Sequence, residues 1–432
     1  MAKVQIKDDN ITAFGGIFHI MDIFKRSGMH ECIDKRLGQR GKLGNAYQYS
    51  DIFLATFCSY LCGGNCLEDI MGLCSTLSSL PNTRIPSSDT IARGMKELHE
   101  ENLKYTNKKE KTFDFNKAEK LNRLLLELLQ LCGQIRKGDV VDVDFDHEFT
   151  PTEKFDAKFS YKKKRGYFPG IASVGKMIVG IENRDANTNV KFNQADTLDR
   201  IFTRLKDVAG VEVDRFRADC GSYSKDIIEK VMEHCKRFYI RASNCQHRYH
   251  EFYKEENWRD VEINYEKYGV ISTTNDTLIK GTSLRLVVQR QEMKDKEGKV
   301  VTDLFGKRYV YRCIITNDWD LSEEDVIRYY NQRGESERNF DVQNNDFGWA
   351  HQPFSDMKDN TVFLLITAML KNFYLYVLNG ITPYVKSLNK NSRLKNFIFH
   401  FINVPAKWIK SGRRYILNLY TRRTYYQNIF VE

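Results

Sequence analysis

The chain has no stretch of about 20 consecutive apolar residues, the length a membrane-crossing helix needs, so no membrane segment is expected. Its opening, MAKVQIKDDN, carries lysines with no apolar run behind them. That predicts no secretory leader and a protein that stays in the compartment where it is made. Ten cysteines are scattered along 432 residues and none forms a C-x-x-C pair. The scatter argues against a disulfide framework and the missing pair against a zinc site. Cys58, Cys62 and Cys66, in CSYLCGGNC, line one side of a helix and read as small core residues. No internal repeat or low-complexity segment is present. No Ser-His-Asp or Cys-His arrangement has a local signature that would mark a protein nucleophile.

What is present is a surplus of positive charge. Lys and Arg number 67 against 57 Asp and Glu, a net charge of +10 that suits a polyanionic partner such as nucleic acid. Hydrophobic residues make up 41%, enough for a substantial core, and the length suggests two or three domains.

Residues 1–135 read as mostly helical, from apolar spacing in SDIFLATFCSYLCGG and KAEKLNRLLLELLQLCGQ. Gly133 and Gly138 are stop signals for the second of these. In IPSSDTIARGMKEL, Ser87 to Asp89 supply N-cap chemistry for a helix from about Thr90, either a DNA-contacting element or an ordinary capped helix. From residue 139 the period changes to two. VVDVDFDHEF, a hairpin in ASVGKMIVGIENR, a helix in DTLDRIFTRLKDVA and a strand-helix-strand unit through VEVDRFRADC to FYIRAS predict an α/β region over 136–244. Residues 245–320 read as a β-rich insertion. Helix returns over 321–380, and 381–432 form a basic, aromatic tail.

VVDVDFDHEF alternates Val141, Val143 and Phe145 with Asp142, Asp144 and Asp146, a strand with one apolar face and one face of carboxylates. Asp is disfavoured in strands, and like charges crowd this face. A calcium loop of EF-hand type would use the three acids with Glu153, but its glycine position holds His147 and Pro151 falls inside the loop. The face is either solvated or relieved by a cation. Two further segments favour the cation. Asp219 ends a second strand, and Tyr330, Arg333 and Glu337 in YYNQRGESERNF share one face if the segment is a single helix. Three converging carboxylates make an all-oxygen site for Mg²⁺ or Mn²⁺.

At these residues the chain resembles the DDE transposases of bacterial insertion sequences, in the branch whose RNase H-like core is interrupted by a β-rich insertion. VDVDFD is similar to the first-Asp strand, YKKKRGYFPG to the segment after it, FRADCGSYS to the second-Asp segment, and YYNQRGESERNF to Y-x-x-R-x-x-x-E. The resemblance implies an α/β fold: an RNase H-like mixed sheet flanked by helices, with an inserted β-rich subdomain and a helical N-terminal domain for DNA binding or assembly. It implies Asp144, Asp219 and Glu337 as catalytic and metal-binding acids. Asp146 stands where the family has Thr, which leaves open which strand acid binds metal, and Asn344 stands where it often has Lys. The resemblance further implies two Mg²⁺ or Mn²⁺ ions per site, double-stranded DNA as substrate and target, a homodimer in the active complex and action in the bacterial cytoplasm. Tyr330, Arg333 and the basic run Lys162, Lys163, Lys164 and Arg165 would contact DNA. Arg413, Arg414, Arg422 and Arg423 would grip element ends or cover the core. Trp349 would stack on a flipped base or anchor its helix from within. An RNase H-like nuclease without strand transfer and a silent DNA-binding derivative are the rival functions.

Overall fold

The alternation of Val140–His147 puts it at the middle of the molecule. In the computed structural model, which describes residues 4–5, 9–41, 46–303 and 306–430, this strand is central to an 11-stranded mixed sheet. In chain order the strands are β1 (Leu103–Thr106), β2 (Thr112–Asn116), β3 (Val140–His147), β4 (Gly170–Val174), β5 (Met177–Arg184) and β6 (Glu212–Ala218). They continue as β7 (Cys235–Ala242), β8 (Arg259–Ile263), β9 (Glu266–Asn275), β10 (Leu284–Glu292) and β11 (Tyr309–Thr316). Their spatial order is β1-β2-β5-β4-β3-β6-β7-β11-β10-β9-β8.

The five strands β5-β4-β3-β6-β7 form an RNase H-like core. β3, β4 and β5 are an antiparallel meander. β6 pairs parallel to β3, and β7 parallel to β6. The helices are α1 (Ile17–Arg26), α2 (Met29–Leu37), α3 (Tyr49–Leu61), α4 (Ser88–Lys96) and α5 (Glu119–Leu131). Then follow α6 (Gln194–Arg204), α7 (Lys225–His234), α8 (Glu323–Asn331), α9 (Gly334–Asp346) and α10 (Met357–Ile381). α7 is the crossover between β6 and β7, as a parallel pair requires. α5 buries Leu121, Leu124, Leu125, Leu128 and Leu129 as one stripe, and Gly133 just beyond it takes the left-handed φ of +63° that stops it.

α10 is apolar nearly all round, which marks a helix buried on every side. By length and composition it could cross a membrane, but 89% of its most apolar window is buried inside the protein. It is the central core helix, packed in one apolar cluster with α1–α3, α5 and the inner face of the sheet.

Three expectations change in detail. The β-rich insertion forms strands, but they extend the core sheet: β11 pairs with β7, then β10, β9 and β8 follow antiparallel. β7 would otherwise present an unpaired edge, and the insertion covers it. The mostly helical N-terminal region contains the β1–β2 hairpin, which closes the opposite edge through β5. TFDFN alternates, and its Phe113 and Phe115 are buried. The segment read as one helix over Tyr330 to Glu337 breaks at Gln332 and Arg333 into α8 and α9, where Gly334 offers weak helical preference. All ten cysteines are free, Cys58 and Cys62 are buried, and Cys66 lies past the end of α3.

Candidate active site

The acids of β3 look across a parallel ladder to β6. The register sets Asp142 opposite Arg215, Asp144 opposite Arg217 and Phe145 opposite Ala218. Side chains two apart share a face, so the same polar face carries Asp146 on one strand and Asp219 at the end of the other. Two acids thus meet arginines, and the third meets another acid.

Asp144 is closed off by this arrangement. Arg217 Nε donates to its Oδ1 at 2.6 Å and Arg217 Nη2 to its Oδ2 at 2.8 Å. The pair is buried, with Asp144 at 4% and Arg217 at 7% exposure. Burial pushes the Asp144 carboxyl up, against the pull of Arg217. Both carboxylate oxygens are engaged by a planar fork, the strongest form of side-chain ion pair.

Asp146 is placed differently. Arg333 Nη1 lies 2.7 Å from its Oδ2. Its pKa is pushed up to about 6, first by burial and next by the charge of Asp219. Asp219 caps the turn Cys220–Ser222, its Oδ1 accepting from the Gly221 backbone N–H at 2.8 Å. A Cβ at position 221 would stand 2.8 Å from that oxygen, so glycine keeps room for the carboxylate. The same Arg333 guanidinium reaches Glu337 Oε1 at 3.7 Å, and the Glu337 side chain is 73% exposed. Tyr330 is buried beside Arg333 and Asp219, and burial pushes its phenol up to about 12.

The structure therefore gathers Asp146, Asp219 and Glu337 around one cation, Arg333, and pairs Asp144 with Arg217 two residues back along β3. The three acids around Arg333 stand wider apart than a closed metal cluster. Among the described residues, the group whose ligating atoms fall within 4.8 Å of one another is Asp199, Glu233 and His234. That group is on α6 and α7, where Lys230 already bridges Asp199 and Glu233.

Lys162, Lys163 and Lys164 are exposed on the turn leading into Arg165–Tyr167, and Arg165 is half-buried. Lys162 lies 5.4 Å from the Phe149 ring, and its charge acts on Glu148. Glu148 is a fourth acid that sequence reasoning passed over, although it extends the series Asp142, Asp144, Asp146 by one more step of two. It accepts from Asn344 at 3.4 Å; burial pushes its carboxyl up, and the Glu337 charge adds to that. The basic turn, Asn344 and Glu337 thus border one site. Trp349 is fully buried, donating to Thr367 Oγ1 at 2.9 Å, which makes it an internal anchor. Arg413, Arg414 and Arg422 are exposed, while Arg423 donates to the His400 carbonyl at 2.9 Å.

Residues 2–432 match a family model described as transposase DDE domain, group 1. No individual curated protein matches the chain.

Proposed function

The chain belongs to the DDE transposase family, and from that premise we propose that it carries out cut-and-paste movement of an insertion sequence, cleaving DNA at the element ends and joining the freed ends to target DNA. The observation that carries the proposal is the acid pair at the ends of β3 and β6, with Arg333 bridging toward Glu337.

Enzymes of this family use divalent metal ions, and the donor chemistry here suits them. Asp146, Asp219 and Glu337 offer only oxygen, the preference of Mg²⁺ and Mn²⁺. Burial first, and the Asp219 charge second, push the Asp146 carboxyl up against the pull of Arg333, a cost that a divalent ion would relieve. In this reading Asp146, rather than Asp144, would be the first metal ligand, with Asp219 and Glu337 as the others. Asp144 has both oxygens engaged by the buried Arg217 fork. Divalent ions held by these carboxylates would supply activation of the attacking oxygen and stabilisation of the leaving oxygen in a phosphodiester displacement.

The protein's own groups do the rest. Arg333 neutralises the acids while no metal is bound and has the fork that grips a scissile phosphate. Tyr330 stays buried against Arg333. Lys162 to Arg165 hold the backbone of the DNA beside Glu148. Hydrolysis and strand transfer are both in-line displacements at phosphorus, so one site serves both and needs no protein nucleophile. Cutting two ends together calls for two protomers.

The test is a strand-transfer assay with Mn²⁺, labelled end DNA and a second duplex. Joined product supports the proposal. Cuts without joining would make the protein an RNase H-like nuclease. No metal-dependent cutting, with DNA binding intact, would make it a silent DNA-binding derivative.

A further inference from the structure

Tyr329 lies in the last turn of α8, one residue before Tyr330 and four before Arg333. Three kinds of contact hold it. Its hydroxyl donates to Asp142 Oδ2 at 2.9 Å. Its backbone carbonyl accepts from Arg217 Nη1 at 2.8 Å. Its ring lies 4.5 Å from the Arg217 guanidinium carbon and 4.9 Å from that of Arg215, and tilts against Tyr239 at 4.7 Å. Arg217 is itself fixed by both oxygens of Asp144. One side chain therefore touches β3 through Asp142 and β6 through two arginines. It does so from the segment that delivers Arg333 and Glu337.

The far side of that segment is anchored separately. On α9, Asn339 accepts from the buried Lys371 of α10 at 3.1 Å and donates to the Gly175 carbonyl at 3.0 Å. Arg393 forks onto Asp346 and also binds Asp341. The chain from Gln332 to Glu337 is strung between these two fixed points. Glu337 is mostly exposed, and its ion-pair distance to Arg333 is a loose 3.7 Å. The anchors on either side decide where its carboxylate goes.

We infer that Tyr329 is a positioning residue, which sets the distance from Glu337 to the Asp146–Asp219 pair by docking the end of α8 across both aspartate strands. The inference rests on the reading of those three acids as the metal site. It also accounts for the first two acids of VDVDFD. A strand needing one ligand carries three carboxylates because Asp142 receives the tyrosine hydroxyl and Asp144 holds the arginine under its ring. Were Tyr329 only a packing element, its loss would lower stability and leave metal affinity alone.

The test is Tyr329→Phe in the full chain, which keeps the ring and the carbonyl and deletes one hydrogen bond. Three quantities are measured: melting temperature, Mn²⁺ affinity by calorimetry without DNA, and DNA affinity in EDTA. Melting within a few degrees of wild type, unchanged DNA affinity and Mn²⁺ affinity weakened by up to about tenfold are expected, since a direct outer partner of a metal ligand is worth about tenfold or more and Tyr329 acts one step further out. Asp142→Ala should give the same loss, and the double variant no more than either, because the two residues share one bond. Wild-type Mn²⁺ affinity in Tyr329→Phe, or losses that add in the double variant, would overturn the inference. Failure of the site reading looks different: wild-type protein would bind no Mn²⁺, or Asp146→Ala would bind it normally, and the inference would fall with it.

Discussion

Asp144 and Asp146 are two residues apart on one face, yet their surroundings assign them opposite work, and substitution should separate them. Asp144 neutralises a buried guanidinium, so Asp144→Ala leaves Arg217 uncompensated and should cost about 3–5 kcal/mol of stability. Asp146→Asn removes a charge that Asp219 repels. It should leave the melting temperature of the metal-free protein unchanged or raised, while cutting DNA cleavage by at least about a hundredfold. Melting curves and a cleavage assay on the two variants would show the opposed pattern, and a large loss of stability in Asp146→Asn would contradict it. The pH dependence follows from the same shift. A carboxyl whose folded pKa is about 6, above its unfolded value of 3.8, binds its proton more tightly in the folded state. Its contribution to metal-free stability is therefore greatest below about pH 4 and is lost as pH rises through about 6. Metal competes with that proton. The rise in melting temperature on adding Mn²⁺ should be full at pH 7.5 and shrink below pH 6.

At the scale of elements, α9 is pinned to α10 through a charged group in the core. Lys371 is buried, and burial lowers its pKa to about 7. The folded state disfavours its charged form. The cost is absent above the unfolded lysine range near pH 10 and grows as pH falls toward 7. Lys371→Met should therefore melt higher than wild type at pH 7, with the gap closing toward pH 10. Its Mn²⁺ affinity should fall as well, because Asn339 loses its partner on the Glu337 helix. Such helix-to-helix ties leave little trace in sequence. The strands did leave one: the runs from residue 139 gave β3, the β4–β5 hairpin, β6 and β7, although β4 and β5 are buried on both faces. The hairpin Leu103–Asn116 was hidden among helices, since two short strands carry a weak signal that pairing with β5 makes good. Spacing set Tyr330, Arg333 and Glu337 on one helical face, and the break at Gln332 and Arg333 was not legible. It depends on where Arg217 and Asp146, more than 100 residues earlier, hold the chain. The choice between Asp144 and Asp146 was likewise a matter of the partner strand: the three acids look alike until β6 sets Arg215 and Arg217 against two of them.

For the whole molecule, a net charge of +10 over 432 residues is modest, so its placement matters more than its size. The acids of the site are largely neutralised by Arg215, Arg217 and Arg333 from within. The exposed lysines 162–164 stand at the rim, where Lys162 already acts on Glu148. A DNA backbone approaching Glu337 meets that rim before it meets the carboxylates, which would otherwise repel it. Association should therefore be strongly salt-dependent, with log K falling by about 0.9 per phosphate contact for each decade of salt. Replacing Lys162, Lys163 and Lys164 together by alanine should lower that slope by up to about 3 if each meets a phosphate. The exposed Arg413 and Arg414 lie at the turn of a separate tail hairpin, Ala406–Ser411 with Arg414–Leu419, which joins the N-terminal segment through Thr12 and makes a second basic surface. The two surfaces can be told apart by one measurement. Titrating salt against binding of a short duplex that covers only the cleavage site should register the lysine turn. If the alanine triple variant keeps the wild-type slope on that duplex, the DNA does not enter past Lys162, and the path to Asp146 and Asp219 must run from the other side of the sheet.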